Sequence, residues 1–137
     1  MEYPNGCAVS AAGDVLYVVD SHGQSVFAIP IEEDGSAGGP QSVASLPDTD
    51  ADGVALDTDG ALWVTLYRPD GIVRIGRDGA VETVVDDHLA HTFDAPTNLA
   101  FVGAELDRVV IANVGDRFLS VGGLGVRGQS LHGPAFE

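Results

Sequence analysis

Short apolar stretches separated by turn residues run along the whole chain, and none keeps the spacing of an amphipathic helix. Six Asn-Gly or Asp-Gly dipeptides, beginning at residues 5, 34, 52, 59, 70 and 78, predict tight turns, because glycine accepts positive φ. Runs rich in β-branched and aromatic residues predict strands at 7–9, 15–20, 25–31, 42–46, 54–57, 62–67, 72–75, 81–85, 99–102, 108–113 and 118–121. The pattern predicts an all-β protein.

The predicted strands repeat along the chain. Segments 5–9, 52–56 and 97–101 align with one another at a spacing of about 45 residues, and each is followed by a turn and a second apolar strand. A repeat of this length with about four strands has the size of a β-propeller blade. We therefore predict a partial propeller of three antiparallel blades, with the third one strand short. The predicted blades are 4–47, 51–92 and 96–128, followed by a tail at 129–137.

The charge balance restricts the partners. The 137 residues include 21 Asp and Glu against 6 Lys and Arg, a formal net charge of -15. Such a surface repels phosphate backbones and anionic lipids, so nucleic acid and membranes are not expected as partners, whereas divalent cations are attracted. With a single cysteine, Cys7, no disulfide can form within the chain, and a cytoplasmic location is expected.

Several short motifs together resemble a known family. These are Pro-Asn-Gly at 4–6, Leu-Tyr-Val-Val-Asp-Ser at 16–21, Ala-Asp-Gly-Val-Ala-Leu-Asp at 51–57, Gly-Ala-Leu-Trp-Val at 60–64, Pro-Thr-Asn-Leu-Ala-Phe at 96–101 and Gly-Leu-Gly-Val-Arg-Gly at 123–128. Their order and spacing resemble the SMP-30/gluconolactonase/LRE-like family. Members of that family are six-bladed propellers that hydrolyse sugar lactones with a divalent cation in the central channel.

The resemblance implies roles for particular residues. Asn5 matches an asparagine that binds the metal, and Asp52 matches an aspartate that binds the metal and serves as acid or base. Thr97, at the third equivalent position, would be a neighbour in the channel. The expected cofactor is Ca²⁺, with Mn²⁺, Mg²⁺ or Zn²⁺ as alternatives, and the expected substrate is a sugar lactone. The family's glutamate ligand, its second asparagine and its substrate-contacting arginine belong to blades outside this chain.

By the same resemblance, the chain corresponds to the carboxyl-terminal half of a six-bladed propeller. Three blades cannot close a ring and would leave blade faces in water. One expectation is a homodimer that completes a six-bladed ring. The alternative to a lactone hydrolase is a non-catalytic partial propeller that binds calcium or associates with itself.

Three further patterns suggest other sites. Residues 48–53 match the D-x-D-x-D-G spacing of an EF-hand, but a solvated acidic turn is the preferred interpretation because the flanks predict strands. Residues 123–128 satisfy G-x-G-x-x-G, and we interpret them as a turn near the last blade. The Asp and His side chains of 86–91 are interpreted as an exposed loop instead of a zinc site.

A few single residues could also carry chemistry. Cys7 is expected to share the side-chain direction of Asn5 and to be a small packed thiol. Trp63, Tyr17 and Tyr67 lie in predicted strands and are expected to pack between blades. No G-x-S-x-G sequence is present, so a serine hydrolase is not expected.

Overall fold

A computed structural model describes residues 1–131 and 133 of the chain. These residues contain no helix, and therefore no helix that could cross a membrane. The prediction of an all-β protein is confirmed. The strands are β1 Pro4–Val9, β2 Val15–Asp20, β3 Ser25–Pro30, β4 Gln41–Ser45, β5 Asp50–Leu56, β6 Leu62–Arg68, β7 Gly71–Ile75, β8 Val81–Asp86, β9 Pro96–Val102, β10 Arg108–Asn113 and β11 Leu119–Gly122.

The strands form three antiparallel sheets in chain order. Strands β1 to β4 make the first sheet, β5 to β8 the second, and β9 to β11 the third, each as a simple meander. This confirms a partial propeller whose last blade has three strands. Of the predicted tail at 129–137, residues 132 and 134–137 lie outside the described residues.

The second sheet is covered on both faces, and strand β6 shows how. Successive side chains of a strand point to opposite faces. Accordingly, Val64 and Leu66 join the core shared with the first sheet, whereas Trp63 joins the core shared with the third sheet. A strand buried on both faces needs apolar residues at nearly every position. This explains why every residue of 61–66 except Thr65 is apolar.

Two of the six predicted turns lie inside strands instead. Asn5-Gly6 belongs to β1 and Asp52-Gly53 to β5, and both coincide with irregular strand pairing of the β-bulge type. The physical reason is a close approach between inner strands. A Cβ atom on Gly6 would collide with the backbone of residues 52–53, and one on Gly53 would lie 2.6 Å from the Asn98 Cα. Glycine is therefore needed for proximity and not for a turn.

The chain bends at residues 125–126, within the predicted turn at 123–128, and then crosses from the third sheet to the second. The Thr58 amide donates to the Arg127 carbonyl at 2.9 Å, and the Gln129 amide donates to the Leu56 carbonyl at 2.9 Å. The Gln129 side chain then donates to the Val9 carbonyl of β1 at 3.0 Å. Residues 127–129 thus tie the inner strands of the first two sheets together.

Candidate functional site

Asn5 and Asp52, the two residues predicted to bind a metal, lie beside one another between the first and second sheets. Each occupies a bulge in an inner strand, β1 and β5 respectively, and such bulges redirect side chains out of the regular alternation. Both line a cavity of about 300 Å³. The other residues of its wall are Tyr3, Ser21, His22, Asp50, Ala51 and Tyr67.

Hydrogen bonds orient the Asn5 amide. Its Nδ2 donates to the Ser21 Oγ at 3.3 Å, and the Ser21 hydroxyl in turn donates to the Ala51 carbonyl at 2.5 Å. The Asn5 side chain also lies close enough to the Asp52 carboxyl to lower its pKa. Because the contact with Ser21 uses the amide nitrogen, Oδ1 remains the amide atom suited to a cation.

The half-buried position of Asp52 affects its proton affinity. Burial raises the pKa of the Asp52 carboxyl, and the hydrogen bond from Asn5 opposes this effect without cancelling it, so the pKa stays above its ordinary value. A nearby positive charge would relieve the cost of burying this carboxylate.

The donor chemistry of the cavity fits a hard divalent cation. An amide oxygen and a carboxylate are ligands that Ca²⁺, Mn²⁺ and Mg²⁺ prefer. Such ions take six or more ligands, however, and the described residues contain no cluster of three or more His, Cys, Asp or Glu side chains with metal-binding geometry. The residues Asn5 and Asp52 therefore fit the cation as part of its coordination shell.

A buried carboxylate that the sequence reasoning missed organises one side of the cavity. Asp20 is 1% exposed and accepts hydrogen bonds from the amides of Glu2 and Tyr3, both at 2.7 Å, and of Gly23 at 3.3 Å. Burial raises the pKa of Asp20, but the Tyr3, Glu2 and Gly23 amides together outweigh it and hold the pKa below its usual value. The sequence signal that could have revealed it is an aspartate directly after the apolar run at 15–19.

Neither alternative metal site is assembled in the described part of the chain. The EF-hand-like segment 48–53 begins after β4 and continues into β5, which starts at Asp50, so its flanks are strands as predicted and only its first residues form the acidic turn. In the 86–91 loop, the Asp87 carboxylate accepts hydrogen bonds from the amides of residues 91–93. His88 is largely exposed and contacts only the exposed Asp86 carboxylate, at 3.3 Å.

The remaining single-residue expectations have mixed outcomes. Trp63 is buried, and Tyr17 packs against the core between the first two sheets, as predicted. Tyr67 differs, because it lines the cavity beside Asp52.

The expectations for Cys7 are wrong. The thiol is exposed and lines a different cavity from Asn5, because the β1 bulge breaks the alternation of side-chain directions between the two residues. The Thr97 hydroxyl donates to the Ala112 carbonyl at 3.4 Å, within the third sheet.

Comparison with known proteins supports a common ancestry. The chain is 33% identical over 113 residues to the L-arabinolactonase of Azospirillum brasilense, a match that covers 81% of this chain and 36% of that protein. A gluconolactonase of Xanthomonas campestris superposes with a TM-score of 0.70 at 25% identity, covering 88% of this chain and 38% of that one. The chain spans about a third of the curated relative.

The fold comparison extends to a more distant structure. A calcium-binding protein, regucalcin, from Agrobacterium tumefaciens strain C58 has a TM-score of 0.75 at 19% identity, covering 98% of this chain and 50% of that one. The family model described as the SMP-30/Gluconolactonase/LRE-like region matches residues 1–114, most of the chain. The three sheets and this match together show that the chain belongs to the SMP-30/gluconolactonase/LRE-like family.

Proposed function

We propose that this chain carries part of the active site of a divalent-metal-dependent hydrolase of sugar lactones. The observation that supports the proposal is the meeting of Asn5 and Asp52, at equivalent bulges of neighbouring inner strands, in one cavity. The lactonase names of the relatives from Azospirillum brasilense and Xanthomonas campestris support the same substrate class.

In the proposed reaction, a water oxygen attacks the carbonyl carbon of the lactone and the bond from that carbon to the ring oxygen breaks. The Asp52 carboxylate orients the water and accepts its proton, and the departing ring oxygen takes that proton from Asp52 to become a hydroxyl. A bound Ca²⁺, Mn²⁺ or Mg²⁺ would supply polarisation of the carbonyl. The role of Asn5, which lies beside Asp52 in the cavity, is to hold that cation.

The first test is calorimetric titration of the purified chain with CaCl₂ and with MnCl₂. We expect Asp52→Ala and Asn5→Ala to weaken binding by at least about 10-fold, since each removes one of few oxygen ligands. Asp116→Ala removes the same charge from an exposed loop of the third sheet and serves as the matched control. Equal binding by Asp52→Ala and Asp116→Ala would show that the cation does not bind in this cavity.

The second test follows lactone hydrolysis at constant pH, with L-arabinonolactone and gluconolactone as substrates. We expect hydrolysis that requires the metal and is lost in Asp52→Ala. A chain that binds the metal but hydrolyses neither lactone would contradict the hydrolase proposal for this chain.

A second candidate function is a partial propeller that associates with its own copy. The supporting observation is the third sheet, where Phe118, Leu119 and Val121 are 38%, 66% and 55% exposed. Apolar side chains grouped on one outer strand are typical of a contact surface. Sedimentation velocity of the wild type and of Leu119→Lys tests this candidate: a monomeric wild type would contradict it, and a dimer should be weakened by the added charge.

A further inference from the structure

Two aromatic rings stack on each other at the exposed side of the candidate site. The Tyr3 and His22 rings lie with their centroids 4.7 Å apart and their planes at 27°, and both line the cavity that contains Asn5 and Asp52. Tyr3 is 52% exposed, whereas the neighbouring Ser21 is 7% exposed. The stacked pair thus presents aromatic surface to solvent in a cavity whose wall also includes the buried Ser21.

The backbone holds this pair in place before any ligand arrives. One carboxylate oxygen of Asp20 accepts hydrogen bonds from the amides of Tyr3 and of Gly23, the residue that follows His22. The Ser21 amide also donates to the Tyr3 carbonyl at 3.0 Å. A Cβ atom on Gly23 would lie 2.5 Å from the Asp20 carboxylate, so the backbone after His22 packs directly against that carboxylate. Preorganisation of this kind lowers the entropic cost of binding.

The opposite wall of the cavity comes from the second sheet. Tyr67 of β6 lines it together with Asp50 and Asp52, while the first sheet contributes the stacked pair and Asn5. Ligand sites in proteins commonly combine aromatic surface with a few placed polar groups. This cavity has that composition, with aromatic rings contributed by both sheets.

We propose that the Tyr3–His22 pair is the recognition wall for the ring of a polyhydroxylated lactone. A sugar ring has one face rich in C–H groups, which packs against the electron-rich face of an aromatic ring. Its hydroxyl groups can then turn towards the Asp50 carboxylate and the Tyr67 hydroxyl, which accept or donate hydrogen bonds. The inference rests on the proposed function, because it places the same substrate in the same cavity, and it assigns Tyr3 and His22 to specificity instead of to catalysis.

The test uses two probes and four variants of the full chain. L-Arabinonolactone reports hydrolysis, and anhydro-L-arabinitol, a ring ether without a carbonyl, reports binding alone by NMR titration. Tyr3→Ala and His22→Ala remove one ring each, and Tyr3→Phe keeps the ring without the hydroxyl. Leu89→Ala removes an exposed apolar side chain of the loop before the third sheet and serves as the control. Fluorescence of the buried Trp63 shows whether each variant is folded.

We expect Tyr3→Ala and His22→Ala to raise KM, and the Kd of the ring ether, by roughly 3- to 10-fold, the range of a single aromatic contact. The value of kcat should change by less than about twofold, because the pair contacts substrate and transition state alike. Tyr3→Phe should restore most of the affinity lost in Tyr3→Ala, and Leu89→Ala should match the wild type.

The outcomes separate this inference from the proposed function. Hydrolysis that depends on Asp52, with unchanged KM and Kd in Tyr3→Ala and His22→Ala, would overturn the recognition wall alone. If these variants weaken binding of the ring ether but the wild type hydrolyses no lactone, the hydrolase proposal would be overturned and the recognition wall would be supported. A folded wild type that binds neither probe would overturn both.

Discussion

The buried carboxylate of Asp57 offers the sharpest test of what stabilises the fold. Asp57 is 2% exposed, and its Oδ1 accepts hydrogen bonds from the amides of Asp59 and Ala61, both at 2.9 Å. Its Oδ2 accepts one from the Trp63 indole at 2.9 Å and lies 3.7 Å from the Arg74 Nε. One side chain thus connects the turn at 57–61 to the middle of the second sheet.

The expected effect of Asp57→Ala follows from the hydrogen-bond donors that would lose their acceptor. The Ala61 amide and the Trp63 indole are both buried, and a buried donor without a partner costs about 1–3 kcal/mol. The Arg74 side chain is 32% exposed, and its loss of an ion pair should cost less than about 1 kcal/mol. We therefore expect Asp57→Ala to lower the free energy of unfolding by about 3–5 kcal/mol, a large part of a typical domain's stability.

Urea unfolding followed by tryptophan fluorescence measures this effect directly, because Trp63 is the only tryptophan of the chain. Arg74→Met is the matched control and should cost less than Asp57→Ala, because the Asp57 carboxylate keeps its hydrogen bonds from Asp59, Ala61 and Trp63. Asp57→Asn should fall between the two, because its amide keeps one acceptor oxygen but turns an N–H towards the indole N–H. A loss of less than about 1 kcal/mol in Asp57→Ala would refute the reasoning.

Two further predictions concern the crossing segment and the loop before the third sheet. Gly128→Ala should cost about 1–3 kcal/mol in the same urea assay, because the new methyl group would collide with the Phe101 ring; an unchanged midpoint would contradict this packing. At Asp87, the Phe93 amide and the other amides of 91–93 hold the pKa below its ordinary value although burial raises it, so the carboxylate stabilises the fold above about pH 4. The stability difference between wild type and Asp87→Asn should therefore shrink as the pH falls below about 4, and a pH-independent difference would contradict it.

Much of the fold could be predicted because its signals are local. Strand β6 is apolar at all but one of its first five positions, and a strand needs such a composition when sheets cover both of its faces. The turns at Gly35, Gly60 and Gly79 have positive φ, as their Asp-Gly sequences indicate. Repetition at about 45 residues then implied three sheets of the same kind.

The tertiary structure alone decided which polar residues meet. Asn5-Gly6 has the sequence of a turn, yet it lies inside β1, because a neighbouring inner strand approaches too closely for a side chain at Gly6. The resulting bulge brings Asn5 beside Asp52 and separates it from Cys7, against the alternation that the sequence predicts. The sequence by itself determined which segments form strands, their order along the chain and which polar side chains are available for a site. The cavity required the packing of the first sheet on the second, since contacts between distant segments depend on backbone approach and bulge geometry that local patterns do not encode.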